Sequence, residues 1–270
     1  MAAVDIDRSA REIYTENFKH PFLIKEISSI PIDWFSRMDA ELWWMSPPCT
    51  PFTKRGFMRD LDDPRSVALK YLIQVVSAVR PTLVCLENVI GFESSKAFHH
   101  LHDQWTRVGY HIQTHTICPS NLGCPNRRPR VYCIASLDRL PDHLPPQSVE
   151  SARISEFIDC NITPESDPSL WLERKTVDRY WRAMDRVALS DNAVVTACFA
   201  ASYGKAIVRS GSYLETPSGY RRFSPREVAR FLGFANTFQL PCRISTERQW
   251  HLLGNSLSLP AVRHVLAGLV

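Results

Sequence analysis

An α/β fold built on a doubly wound, mostly parallel sheet is predicted by three observations. Thr82-Leu83-Val84-Cys85-Leu86 is a continuous apolar run, the mark of a strand covered on both faces. Segments of helical apolar spacing lie before and after it, so strands alternate with helices along the chain. That alternation then weakens between about 139 and 195, where prolines stand at 141, 145, 146, 164 and 168. The weak stretch reads as a less regular inserted lobe. A chain of 270 residues, 44% of them apolar, is enough for one large or two modest domains with a sizeable core.

Taken in order, Ala2-Ala3-Val4 reads as a short strand ending at Asp5, followed by a helix over 7–18 capped by Asp7 or Ser9. Residues 40–45 form the next strand, broken by Pro47-Pro48. From Pro64, Ala68, Tyr71, Leu72, Val75, Val76 and Val79 keep helical spacing until Pro81 stops the run. The buried strand 82–86 ends in Glu87-Asn88. A helix near 96–108 and strands near 111–117 and 131–135 follow. After 220, helices are expected over 225–233, with Ser224 as cap and Pro225 in first position, and over 258–269. The predicted organisation is a catalytic domain over 1–138, a recognition region over 139–219, and a segment 220–270 returning to the first domain.

Composition narrows the class. No apolar run approaches the roughly 20 residues a bilayer requires. Asp5, Asp7 and Arg8 leave no room for a secretory segment, and an intracellular protein is expected, in cytoplasm and nucleus. Eight cysteines are scattered at 49, 85, 118, 124, 133, 160, 198 and 242 without a C-x-x-C pair, so no metal site is expected and most thiols should be buried. The formal charge of +4 says little by itself. Two local arrays say more: Arg127-Arg128-x-Arg130 and Arg221-Arg222-x-x-x-Arg226. His99-His100-x-His102 is expected on a wet helix face, and Trp43-Trp44 in core packing.

In a doubly wound sheet, ligands gather beyond the carboxyl ends of the strands. Two such ends carry reactive groups, Cys49 in "MSPPCTPF" past one strand and Glu87 past another. Prolines fix the direction of the sulfur, and nearby N–H groups and positive charge favour its thiolate. A carboxyl at a buried strand end can hold or deliver a proton. Arg128 and Arg130 can anchor an anion or a heteroaromatic carbonyl. Attack on an electron-poor ring is one reaction that needs this set. A pyrimidine accepts a nucleophile at C6 when N3 is protonated or hydrogen-bonded, and the adduct then has a nucleophilic C5.

The segments "SPPCTPF", "LENVIGFE", "NLGCPNRRPRVYCIA", "RFSPREVARFLGF" and "LLGNSL" occur in this order. In that order they resemble the cytosine-C5 methyltransferases. "PFTKRG", "ENVIGFE", "NLGCPN" and "CFAASYGKAIVRSGSYL" narrow the resemblance to the eukaryotic branch that methylates transfer RNA, historically grouped with DNA methyltransferases. The resemblance implies a Rossmann-like catalytic domain and S-adenosylmethionine as methyl donor. It implies Cys49 as the nucleophile on C6, Glu87 at N3 and the exocyclic amine, and Arg128 and Arg130 positioning the base. On the cofactor side it implies Asp5 at the ribose hydroxyls, with Ile6, Ile27, Pro47, Asn255 and Ser256. For substrate it implies Cys198-Phe199, followed here by Ala200 where the branch has Thr. From their charge alone, Arg221 and Arg222 are expected either at RNA phosphates or on a solvated surface. The implied partner is tRNA, aspartate tRNA first, with DNA as the alternative and a silent RNA-binding relative as a further one. A monomer is expected.

One departure stands out. The family opens with a strand and a glycine-rich turn that wraps the cofactor's methionine end, whereas the first glycine here is Gly56 and Met1 falls just ahead of the strand bearing Asp5. The sequence therefore predicts a sheet without that central first strand and ladder groups exposed on its neighbours. The expected alternatives are a methyltransferase in an N-terminally short form, with impaired activity and poor binding of S-adenosylmethionine, or a chain with little cofactor affinity of its own.

Overall fold

The computed structural model describes residues 1–48, 60, 63–141, 144, 149–150, 152–190 and 195–269. Cys49, the expected nucleophile, lies outside the described residues. The chain divides into two compact units, Met1–Ile117 with Pro129–Leu144 and Gly268–Val270, and Cys118–Arg128 with Pro145–Ala267.

The first unit begins with β1 (Ala3–Asp5), α1 (Arg8–Asn17) and β2 (Phe22–Ile24). Asp7 caps α1, its carboxylate accepting the N–H groups of Ser9 and Ala10. The strands run parallel, with Val4 opposite Leu23. Then come α2 (Ile32–Arg37), β3 (Leu42–Met45), α3 (Val67–Val79), β4 (Leu83–Asn88), α4 (Lys96–Arg107), β5 (His111–Ile117) and β6 (Arg130–Ser136). β4 is buried along nearly its whole length, as its apolar run requires. Leu69, Ile73 and Val76 of α3 and Leu101 and Trp105 of α4 pack with Val84 and Leu86 of β4. Each such side chain contributes roughly 1.5–3 kcal/mol of burial. The Trp105 indole N–H donates to the Ile73 carbonyl at 3.2 Å, which lets a large ring sit in the core without an unpaired donor.

The α/β class and the alternation match expectation, but the sheet is neither single nor mostly parallel among the described residues. β1 and β2 form a two-stranded sheet, and β3-β4-β6-β5 form a four-stranded one. Only β3–β4 is parallel in the larger sheet, because α3 provides a crossover there; β4–β6 and β5–β6 are antiparallel. Among the described residues β3 and β5 are the edges of the larger sheet, and β1 and β2 pair only with each other.

The second unit contains α5 (Arg174–Tyr180), β7 (Asp185–Ala188), β8 (Ser212–Thr216), β9 (Gly219–Arg222), α6 (Pro225–Phe231), α7 (Thr246–Gly254) and α8 (Leu259–Ala267). β7 pairs parallel with β8, and β8 antiparallel with β9. Its core is aromatic: Phe199, Tyr203, Tyr213, Phe223, Phe231 and Trp250 are all buried together. Ser224 caps α6 and Glu227 reaches back to the Ser224 N–H, a reciprocal capping pair. The expected domain boundaries are corrected here. Residues 118–128 belong with the second unit, because Asn126 donates to Thr196 Oγ1 at 3.0 Å and to the Ala197 carbonyl at 3.1 Å. Residues 220–267 also stay with it, held by the same aromatic core; only 268–270 return. Within the lobe predicted to be irregular, the described residues include 3₁₀ segments at Ile154–Glu156 and Pro168–Leu170 but also α5 and β7. No helix among the described residues is long and apolar enough to cross a membrane.

Candidate active site

The carboxyl ends of β3 and β4 define the site in the first unit. Parallel pairing sets Met45 opposite Leu86, so the chain leaving β3 starts beside the end of β4. Glu87 falls inside β4 rather than past it, opposite Tyr132 of β6, and is buried at 8% exposure. Arg130, the first residue of β6, brings its Nε within 3.1 Å of Glu87 Oε1. The charge-assisted contact orients the carboxylate, and both side chains keep a small accessible fraction. The next residue, Asn88, donates from Nδ2 to the carbonyl of buried Pro47 at 3.3 Å. Pro47 stands two positions before Cys49 in sequence. The proline stretch is thus tied to the strand that carries the acid. Asn88 was not singled out from the sequence, where only its place after Glu87 marked it.

Arg128 is placed differently from Arg130, although one proline separates them. It is 3% exposed and donates from Nη1 to Cys198 Sγ at 3.4 Å and the Phe199 carbonyl at 3.3 Å. Nη2 donates to the carbonyls of Gly254, at 3.1 Å, and Ser256. Its Nη donors therefore hold backbone of the second unit. Arg128, expected together with Arg130 to position the base, instead has its Nη groups engaged by four acceptors of its own unit. Gly254 explains the glycine of "GNSL": a Cβ there would lie 2.3 Å from the Ala201 nitrogen, so only glycine admits the two backbones.

This chain is matched over residues 1–164 and 171–270 by the model of the C-5 cytosine-specific DNA methylases. The chain belongs to that family. A tRNA (cytosine(38)-C(5))-methyltransferase of Schizosaccharomyces pombe is 29% identical over 99% of this chain and 88% of its own length. A DNA (cytosine-5)-methyltransferase of Dictyostelium discoideum is 26% identical over 98% of this chain and 86% of its own. The solved structure of an Entamoeba histolytica methyltransferase superposes with a TM-score of 0.91 at 24% identity, covering 99% of this chain and 88% of that one, and so shares the fold.

Within this cytosine methylase chain, the remaining expected residues separate by unit. Asp5, Ile6, Ile27 and Pro47 lie in the first, Asn255 and Ser256 in the second. Asp5 ends β1 with an exposed carboxylate, one oxygen of which accepts the Asp7 N–H at 2.9 Å; Ile6 beside it is 68% exposed. Asn255 is exposed with its amide 3.3 Å from His251 Nε2. Two expected substrate contacts are corrected. Arg221 is 2% exposed and bound by both oxygens of Glu227 at 2.8 Å, so its charge is neutralised inside the unit rather than offered to a phosphate. Phe199, 2% exposed, packs edge-on to Tyr203 and Phe223. Cys198 is half-buried against Arg128, and Arg222 lies with its guanidinium 5.8 Å from the Trp250 ring centroid.

The other thiols are not uniformly buried, as composition had suggested. Cys85, Cys124 and Cys133 are, and burial pushes each up to about 12, which keeps them protonated and unreactive near neutrality. Cys160 and Cys242 are exposed.

Proposed function

We propose that the chain transfers a methyl group from S-adenosylmethionine to C5 of a cytosine in tRNA, with the anticodon loop of aspartate tRNA as its first substrate. The observation that carries this reading is the convergence at the end of β4: Glu87 oriented by Arg130, and the proline stretch before Cys49 fastened to Asn88. The names of the tRNA-modifying relatives support RNA over DNA.

In this reading the Cys49 thiolate adds to C6 while Glu87 supplies a proton or hydrogen bond at N3, and Arg130 keeps that carboxyl aimed. After C5 is methylated, a base removes the C5 proton and the thiolate leaves as C5–C6 re-forms, restoring the ring. S-adenosylmethionine supplies an electrophilic methyl group when bound. The residues present fit its ribose: the exposed Asp5 carboxylate keeps acceptor capacity for a diol, and Ile6 offers apolar surface next to it. A base held in a loop needs less unstacking than one in a duplex, which favours an anticodon loop.

The test incubates the chain with tRNA or DNA bearing 5-fluorocytosine and S-adenosylmethionine. A denaturant-resistant conjugate with tRNA, lost in Cys49→Ala, is the expected result. Conjugation to DNA with none to tRNA reverses the substrate assignment. RNA binding without a conjugate on either makes the chain a silent RNA-binding relative.

A further inference from the structure

We infer that Trp181 and Arg186 form a stacking subsite for an unpaired RNA nucleotide on the second unit, separate from the residues assigned to the reacting cytosine. The inference rests on the reading of the chain as a tRNA methyltransferase. It starts from an oddity of burial: Trp181, directly after α5, is 44% exposed, an unusual position for the largest apolar side chain. Its ring is not bare. The Arg186 guanidinium, from β7, lies 3.6 Å from the ring centroid, and Tyr220 of β9 meets the indole at 5.8 Å and 80°. Two strands and a helix end thus place a cation–π stack and a second aromatic ring on one surface.

Charge around this stack is unbalanced in one direction. Arg174 is paired with Asp178 and Lys175 with Glu173, while the Asp185 carboxylate accepts the Ser212 hydroxyl. Arg179, Arg182 and Arg186 have no carboxylate partner among the described residues. Leu172, Arg179, Trp181, Arg182 and Tyr220 line one cavity of about 890 Å³, ample for a nucleotide. Arg186 is itself exposed, so a base can extend the indole–guanidinium stack while Arg179 and Arg182 meet the flanking phosphates. Arginine planes and aromatic rings beside unpaired cations are how single-stranded RNA is held without sequence readout. Arg221 is buried and Arg222 half-buried, whereas Arg179, Arg182 and Arg186 of the segment "RYWRAMDR" are exposed.

The test measures affinity of the full chain for a tRNA transcript and for a fully paired RNA of equal length, with Trp181→Ala, Trp181→Phe and Arg182→Ala variants. Trp181→Ala is expected to weaken tRNA binding roughly five- to 150-fold and leave duplex binding unchanged. Trp181→Phe should stay within about twofold, and Arg182→Ala should lower the salt slope by about one phosphate. Trp181→Ala within twofold of the unsubstituted chain overturns the inference, as do equal losses on the duplex, equal losses in both Trp181 variants, or no tRNA binding at all. Methyl incorporation at saturating tRNA is read in parallel. Binding that depends on Trp181 without any incorporation leaves the subsite standing and removes the methyltransferase reading; incorporation with an unchanged KM in Trp181→Ala does the reverse.

Discussion

Arg221–Glu227 in the second unit and Arg130–Glu87 in the first are both Arg–Glu pairs, and they differ in what surrounds them. Arg221 and Glu227 are sealed at 2% and 0% side-chain exposure, and Glu227 also accepts the N–H groups of Asp159 and Ser224. Arg130 and Glu87 keep 17% and 11% at the ends of two strands. The sealed pair is a fastening between β9, α6 and the segment at Asp159, in which every carboxylate oxygen is engaged. The partly open pair sits where a ligand can reach it. The same ion-pair chemistry is fully enclosed in one place and partly accessible in the other, and it is this accessibility that the role proposed for Glu87 requires.

The comparison is broken most directly at Glu87. Glu87→Gln keeps the shape and a hydrogen bond to Arg130 but removes the acid, and methyl transfer to tRNA is expected to fall about 10²- to 10⁴-fold. The melting temperature should move little, and a loss of folding comparable to that in the sealed pair would make Glu87 architectural. Glu227→Ala is next. It leaves a buried guanidinium unpaired and should cost about 3–5 kcal/mol in urea denaturation. Replacing both partners, Arg221→Met with Glu227→Leu, sharpens the point: recovery should be incomplete, because the Asp159 and Ser224 N–H groups stay unsatisfied.

A smaller effect separates the thiols. Iodoacetamide at pH 9 should modify Cys160 and Cys242 quickly and spare Cys85, Cys124 and Cys133 in mass spectra of the folded chain. With a folded value of about 12 against 9.0, each core thiol is ionised to on the order of one part in a thousand at that pH. The sign for stability follows: the unfolded chain loses these protons first, so stability is full below pH 9 and declines as pH rises toward 12. Denaturation midpoints that are flat from pH 8 to 10.5 would contradict it.

Local patterns carried much of this structure. The apolar run at 83–86, the helical spacing before Pro81, and the caps at Asp7 and Ser224 were legible because they depend on neighbours within a few residues. β7, β8 and β9 were not, since strands of four or five residues with charged sequences such as "DRVA" and "GYRR" carry no alternation that stands out from a surface. The chain by itself therefore determined the elements with strong local patterns, the candidate nucleophile and acid, and the family. What it could not determine was the fate of each arginine. Arg128 and Arg130 share one motif, and Arg221 and Arg222 another, yet their guanidiniums meet different partners: Arg128 reaches carbonyls 71 to 128 residues away and Arg130 the Glu87 carboxylate, while Arg221 binds Glu227 only 6 residues on and Arg222 the Tyr203 carbonyl 19 residues back. A charge pattern is written locally, whereas burial and hydrogen-bond partners are set by chain segments that only folding brings together.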